Sequence, residues 1–380
     1  MIASRLAGFG TTIFTEMSAL AQRTGSINLG QGFPDEDGPP EVLEAAARAL
    51  RDGHNQYAPL SGVPALLEAV ADHQRRFYGL EVDPQIEVQV TFGATEAIAA
   101  VMLGLLEPDD EVVVFEPLYD SYAASIAMAG ARRRVVTLRP PGWRLDLDAL
   151  HEAVGPRTRL LLLNTPHNPT GKVFTRAELE QIAGLCRRRD LIAVADEVYE
   201  HLVYEGEHLP LATLPGMAER TLTISSIGKT FSATGWKIGW ATGPPSLIAA
   251  VRAAKQFLTF AGGTPLQHAS AAALGMSDAF YAGLADDYRG KRDRICAGLE
   301  AAGLEPIPPA GTYFVNARVD GDGAGFCREL PERAGVVAIP TSVFYDDKDA
   351  GRSLVRFAFC KHDAVIDEAA ARLARAGAPT

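Results

Sequence analysis

A chain of 380 residues with 47% hydrophobic side chains is long enough for one large core and one or two smaller ones. Its formal net charge of −11 repels nucleic-acid phosphates and anionic membranes at long range, so a small-molecule partner is expected instead. The four cysteines, Cys186, Cys296, Cys327 and Cys360, form no Cys-x-x-Cys pair, which argues against a metal knuckle or disulfide framework and fits a reducing cytoplasm.

The stretch Met1 to Phe14 lacks the 7–15-residue apolar core of a secretion leader, and no stretch stays apolar for the roughly 18 residues of a membrane span. The Gly- and Pro-rich segment Asn28–Pro40 cannot be regular helix and is expected to cross between domains. From about Glu41, short apolar runs alternate with helix-period segments, the pattern of parallel strands joined by helical crossovers in an α/β protein. Strands are predicted at Val88–Phe92, Glu111–Phe115, Arg134–Leu138, Arg159–Leu163, Leu191–Ala195, Thr221–Ser225 and Gly239–Thr242. Helices are predicted at Thr95–Leu106, Asp120–Ala129, Thr175–Arg188 and Pro245–Phe257, with Thr175 and Glu178 placed as a capping box. After about Asp278 a long charged helical pattern runs to Ala302, followed by short strands near Thr312–Val315 and Leu354–Phe359 and a terminal helix. The expected division is an N-terminal arm and part of the small domain over 1–40, a large domain over 41–277 and the rest of a smaller α+β domain over 278–380.

Residues capable of chemistry gather where predicted strands end. The longest such run is Ser225-Ser226-Ile227-Gly228-Lys229-Thr230-Phe231-Ser232-Ala233-Thr234-Gly235-Trp236-Lys237-Ile238-Gly239. Others are Thr91-Phe92-Gly93-Ala94-Thr95, Glu116-Pro117-Leu118-Tyr119-Asp120-Ser121-Tyr122, Asn164-Thr165-Pro166-His167-Asn168-Pro169-Thr170-Gly171, Ala195-Asp196-Glu197-Val198-Tyr199 and Leu354-Val355-Arg356-Phe357. Each alone has an ordinary explanation: a solvated lysine, a strand-to-helix turn, a capping aspartate, a rim salt bridge. An arginine interrupting an apolar strand, however, is not buried without an anionic partner.

In that order and spacing the runs closely resemble class I aminotransferases, from about Phe14 to Lys361. The resemblance is strongest to the branch with kynurenine, glutamine and methionine aminotransferases and actinobacterial N-succinyldiaminopimelate aminotransferases. It implies a fold-type I architecture: a mostly parallel seven-stranded sheet with helices on both faces, plus a smaller α+β domain. It also implies pyridoxal 5'-phosphate as cofactor, an amino acid and a 2-oxo acid as substrates, and a homodimer with shared active sites. Lys229 would hold the cofactor aldehyde and move the Cα proton. Asp196 would keep the pyridine nitrogen protonated, Tyr199 and Asn168 would bind the phenolic oxygen, and Tyr119 would stack on the ring. Ala94, Thr95, Ser226 and Lys237 would cradle the phosphate, joined by Tyr57 from the neighbouring subunit. Arg356 would clamp the substrate carboxylate, with Gly32 and Asn164 nearby and Phe14 at the mouth. Tyr122 reads as a packing residue, His167 as solvated or packed, Glu197 as structural, and Gly262 and Gly263, in a segment expected to face the neighbouring site, as a hint of a roomy pocket. The same site chemistry serves a cysteine-conjugate β-lyase. A non-catalytic regulatory protein is the remaining alternative, disfavoured by the lack of a helix-turn-helix extension or basic patch.

Overall fold

The computed structural model describes residues 2–10 and 12–377. After a short β1 (Ile27–Asn28), seven strands form one sheet: β2 (Val88–Phe92), β3 (Glu111–Glu116), β4 (Arg132–Thr137), β5 (Thr158–Asn164), β6 (Ile192–Asp196), β7 (Thr221–Ser226) and β8 (Ile238–Thr242). They lie in the order β2-β8-β7-β6-β5-β3-β4. Neighbours from β7 through β6, β5 and β3 to β4 run parallel, whereas β8 is antiparallel to both β7 and β2. This is the mostly parallel α/β sheet expected of the fold-type I architecture.

The central strands read as unbroken apolar runs because both faces are covered. Val113, Leu161 and Ala193 pack with Leu179, Ile182 and Leu185 of the helix Arg176–Arg189. Their chain neighbours Val112, Leu160 and Val194 face the other way, onto Ala97 and Val101 of Gly93–Leu105 and Ile248 and Val251 of Pro245–Leu258. Thr175 caps Arg176–Arg189 with a capping box completed by Glu178, as the sequence suggested. At the sheet's edge β4 starts two residues before the predicted Arg134, because Arg132 and Arg133 pair with Glu111 and Val112 while their side chains stay in solvent. An apolar pattern underestimates such a strand.

The sheet's polarity determines where function can sit. The parallel strands end along one edge, at Phe92, Glu116, Asn164, Asp196 and Ser226. Antiparallel β8 begins there, Ile238 opposite Phe92 and Gly239 opposite Ser226, so the residue before it, Lys237, joins the same edge.

The helix Asp278–Ala301 leads to β9 (Glu305–Ile307), β10 (Phe314–Arg318), β11 (Val336–Val337), β12 (Ile339–Pro340) and β13 (Leu354–Ala358). Four of these form an antiparallel sheet, β12-β13-β10-β9, while β11 pairs in parallel with β1. Strand β10 starts later than the predicted Thr312, whose φ of 67° is incompatible with an extended strand. Met17, Ala21 and Leu29 of the N-terminal arm share a core with Phe357 and Leu373. We therefore propose grouping the arm 1–40 with 278–380 as the small domain, beside 41–277 as the large one. Among the described residues no helix is long and apolar enough to cross a membrane.

Candidate active site

A cavity of about 420 Å³ opens at the sheet edge where the strands end. Its lining includes Phe14, Gly32, Ala94, Thr95, Tyr119, Asn168, Asp196, Tyr199, Ser226, Lys229, Lys237 and Arg356. Residues spread over most of the chain are thus brought together by the ends of six strands, the middle of the strand Leu354–Ala358 and one arm.

One end of the cavity is built for an anion. The helix Gly93–Leu105 starts directly at the end of β2, and no side chain caps its first turn. Its leading N–H groups, with the positive end of the helix dipole, therefore lack an internal partner. Gly93 has φ of 68°, and a Cβ there would lie 3.2 Å from the Lys237 ammonium. A Cβ on Gly239 would come within 2.8 Å of the backbone N of Ala94. Both glycines thus permit a backbone approach that leaves room for a phosphate between Ala94, Thr95, Ser226 and Lys237. The donor set fits a phosphate dianion.

Lys229 sits on the short helix Ile227–Thr230 that follows β7, its Nζ 5.6 Å from the ring centres of Tyr199 and Tyr313. Burial brings its amine down to about 8, so part of it is neutral near neutral pH. Asp196 closes β6. Its Oδ2 accepts the Tyr122 hydroxyl at 2.6 Å, and burial pushes the carboxyl up to about 6 against that hydrogen bond. Tyr119 caps the helix Asp120–Met128, and burial pushes its phenol up to about 12. Burial likewise raises the Tyr199 phenol.

Arg356 lies mid-strand in β13 with 1% of its surface exposed. Its Nη1 donates to Asn168 Oδ1 at 3.1 Å and its Nη2 to the Gly30 carbonyl at 3.0 Å, while Nε has no partner. Three rings, of Phe314, Phe344 and Phe14, surround the guanidinium at 4.0, 4.9 and 5.4 Å. Burial lowers its affinity for the proton, bringing it to about 10. Because Arg356 occupies Asn168 Oδ1, the amide nitrogen of Asn168 is the group left for the cavity. Gly32 is required as glycine, since a Cβ would meet the Phe314 and Tyr313 rings at 2.4–2.8 Å; its carbonyl accepts the Tyr313 hydroxyl at 2.7 Å.

Two expected site residues are elsewhere. Asn164 turns inward: its Nδ2 donates to the Asp196 carbonyl at 2.9 Å and its Oδ1 accepts the Asn168 N–H at 2.7 Å. Both arms are used in joining two loops, so it positions Asp196 and Asn168 and does not line the cavity. Tyr57 is 81% exposed, outside the cavity, with its ring edge against Phe260 at 5.6 Å. Gly262 and Gly263 are held by this chain's own packing: a Cβ on Gly262 would collide with the Phe92 ring, and Gly263 has φ of 63°. His167 is packed as expected, bonded to Thr170 Oγ1 at 2.7 Å and pulled by burial down to about 3. Glu197 pairs internally with His208 at 3.0 Å. Tyr122, which donates to Asp196 and lines the cavity, is the contact the sequence reading missed. Its spacing three residues after Tyr119 at a helix start was the available signal, because that spacing puts both rings on one face.

Comparison with known proteins agrees with this geometry. A sequence model of aminotransferase class I and II matches residues 24–373. The chain belongs to this family. Class I and II aminotransferases depend on pyridoxal 5'-phosphate, and this aminotransferase is accordingly a pyridoxal-phosphate enzyme. It is 53% identical to a probable N-succinyldiaminopimelate aminotransferase of Mycobacterium tuberculosis, over 98% of each chain. It is 41% identical to the methionine aminotransferase of Escherichia coli, over 97% of each. The solved structure of the Mycobacterium tuberculosis N-succinyldiaminopimelate aminotransferase superimposes with a TM-score of 0.97 at 53% identity, covering 99% of this chain and 100% of that one.

Proposed function

We propose that this aminotransferase moves the amino group of a long L-amino donor of the N-succinyldiaminopimelate kind to a 2-oxo acid such as 2-oxoglutarate, in two half-reactions. The observation that carries the reading is Arg356. A fully buried guanidinium with a free Nε and, among the described residues, no carboxylate partner is the complement of a substrate α-carboxylate. The 53% identity to the Mycobacterium tuberculosis protein supports the donor class, as does a cavity of about 420 Å³ with Phe14, Phe33 and Phe314 in its lining.

When bound, the cofactor supplies an electron sink for the pair left as the Cα–H bond breaks. The remaining work belongs to the chain. Arg356 holds the donor carboxylate, which fixes the direction of the Cα–H bond. Lys229 Nζ, partly neutral because it is buried, would take the Cα proton and move it across the amino nitrogen to the cofactor's carbon. Asp196 keeps the ring nitrogen charged, and Asn168 and Tyr199 hold the phenolic oxygen. Phe14 and Phe33 shield the proton in transfer from water.

The enzyme acts as a homodimer, with Tyr57 reaching the partner's phosphate cradle. Supporting this, Tyr57, Phe257, Leu258 and Phe260 carry 81%, 84%, 46% and 43% exposure respectively, and Tyr57 touches Phe260. The four cysteines, all free and buried, fit a cytoplasmic protein. The donor test is a comparison of kcat/KM for N-succinyldiaminopimelate, methionine, glutamine and kynurenine with 2-oxoglutarate and with pyruvate. A preference of tenfold or more for methionine or kynurenine would overturn the donor assignment. Continued turnover of a cysteine conjugate to pyruvate and ammonia without any acceptor, beyond the single equivalent of keto acid that a first half-reaction gives, would replace transamination by β-elimination.

A further inference from the structure

Tyr122 faces the active cavity from the first turn of the helix Asp120–Met128, yet it is 3% exposed and packs among core side chains. It makes two contacts at once. Its hydroxyl donates to Asp196 Oδ2 at 2.6 Å, and its ring meets that of Tyr119 edge-on, with centres 5.7 Å apart at 83°. Packing alone would require only the ring. The hydroxyl occupies one carboxylate oxygen and leaves Oδ1, whose backbone contact is the Val198 N–H at 3.4 Å, as the oxygen free to turn into the cavity.

We propose that Tyr122 is a positioning residue of this reaction, which holds the Asp196 carboxylate in its ionised form and orientation while bracing the Tyr119 ring platform. This rests on the reading of Asp196 as the partner of the cofactor's ring nitrogen. One side chain thereby ties the edge of the ring, where charge must be held, to its face, where stacking must be held. The physical basis is simple. A buried carboxylate favours its neutral acid, and a hydrogen bond donated to the charged form opposes that preference. Phenol is suited to the task, because burial raises its own affinity for the proton and it remains a donor. Aromatic edge-to-face contact makes the same residue a wall for Tyr119.

Tyr122→Phe separates the two roles, since it keeps the ring and removes the hydroxyl. In the cofactor-free protein, the Asp196 carboxyl followed by carbon-13 NMR is expected to titrate about one pH unit higher than in the parent. In the loaded enzyme the acid limb of kcat is expected to move up by a similar amount. There kcat falls roughly tenfold at pH 7 while KM for the donor stays within about twofold, because Arg356 is untouched. Borohydride should still fix the cofactor on Lys229. Tyr122→Leu should add a change in the visible circular dichroism of the bound cofactor that Tyr122→Phe lacks, as Tyr119 loses its wall. An unchanged Asp196 titration in the cofactor-free Tyr122→Phe protein overturns the proposal whatever the cofactor does. An acid limb that stays in place, with KM and melting temperature altered together, reduces Tyr122 to packing. Failure of the underlying Asp196 reading has a different signature, an Asp196→Asn enzyme of near-normal turnover.

Discussion

The turn from Asp196 to His201 divides two buried polar regions that differ in one respect. On the cavity side, Asp196, Tyr199 and Lys229 face Arg356 and an uncapped helix start, and several donors have no partner among the described residues. On the other side, Glu200 accepts the hydroxyls of Tyr78 and Ser225, and His73 Nε2 meets His201 Nε2 at 2.7 Å. Apart from single nitrogens on His73 and His208, that second cluster is paired internally. Against the pull of burial, the neighbouring histidines and hydroxyls hold the Glu200 carboxyl below its ordinary range. Buried polarity is common to both regions, so it does not mark a site by itself. Unmatched charge marks it, since only a ligand can complete it.

The contrast can be broken by substitution. The largest expected effect is at Asp196→Asn. It should keep the cofactor bound but lose transamination by a factor on the order of 10³, because an amide cannot hold a ring nitrogen protonated in a buried site. Next comes Arg356→Gln, which should lower kcat/KM for the amino donor by about 100-fold, chiefly through KM, as a charge-assisted carboxylate contact is lost. An equal loss with a neutral amide of the donor would show that Arg356 does not read the carboxylate. Glu200→Gln should leave kcat and KM within about threefold yet lower the melting temperature by roughly 2–4 °C, since it weakens a satisfied internal network. A large loss of activity in that variant would merge the two regions into one.

A pH experiment sharpens the same comparison. The Lys229 amine titrates at about 8 in the folded, cofactor-free protein against an ordinary 10.5, because it is buried. Between those values the unfolded chain holds the proton and the folded chain does not, so stability from this group rises with pH across the window. Denaturant titrations of cofactor-free protein at pH 7.5, 8.5 and 9.5 should show the rise, and Lys229→Met should abolish it. A pH slope identical in the two proteins would mean that Lys229 is not buried as a cation.

The sequence by itself determined what local pattern can encode. Central strands covered on both faces must be continuous apolar runs, so β3, β5 and β6 were legible within a residue or two. The capping box at Thr175 and Glu178 is a three-residue signal and was read directly. The strand-end motifs named Lys229, Asp196, Tyr199, Asn168 and Arg356, all but Arg356 within a few residues of a strand end; every one of these five reaches the cavity.

Tertiary structure alone decided the rest, because it depends on groups far apart in the chain. That Arg356 has no anionic partner among the described residues is a fact about Asn168 and Gly30, 188 and 326 residues away. The antiparallel course of β8, which brings Lys237 beside Gly93, follows from its insertion between β7 and β2 and has no local signature. Asn164 looked like a substrate ligand and proved a brace because Asp196, 32 residues on, offers its carbonyl. Gly262 is a close contact with Phe92, which no local pattern announces. Tyr122 read as core packing until Asp196, 74 residues later, was placed against its hydroxyl. Periodicity reports which face of an element is apolar; which polar group meets which is settled only when the strands are laid side by side.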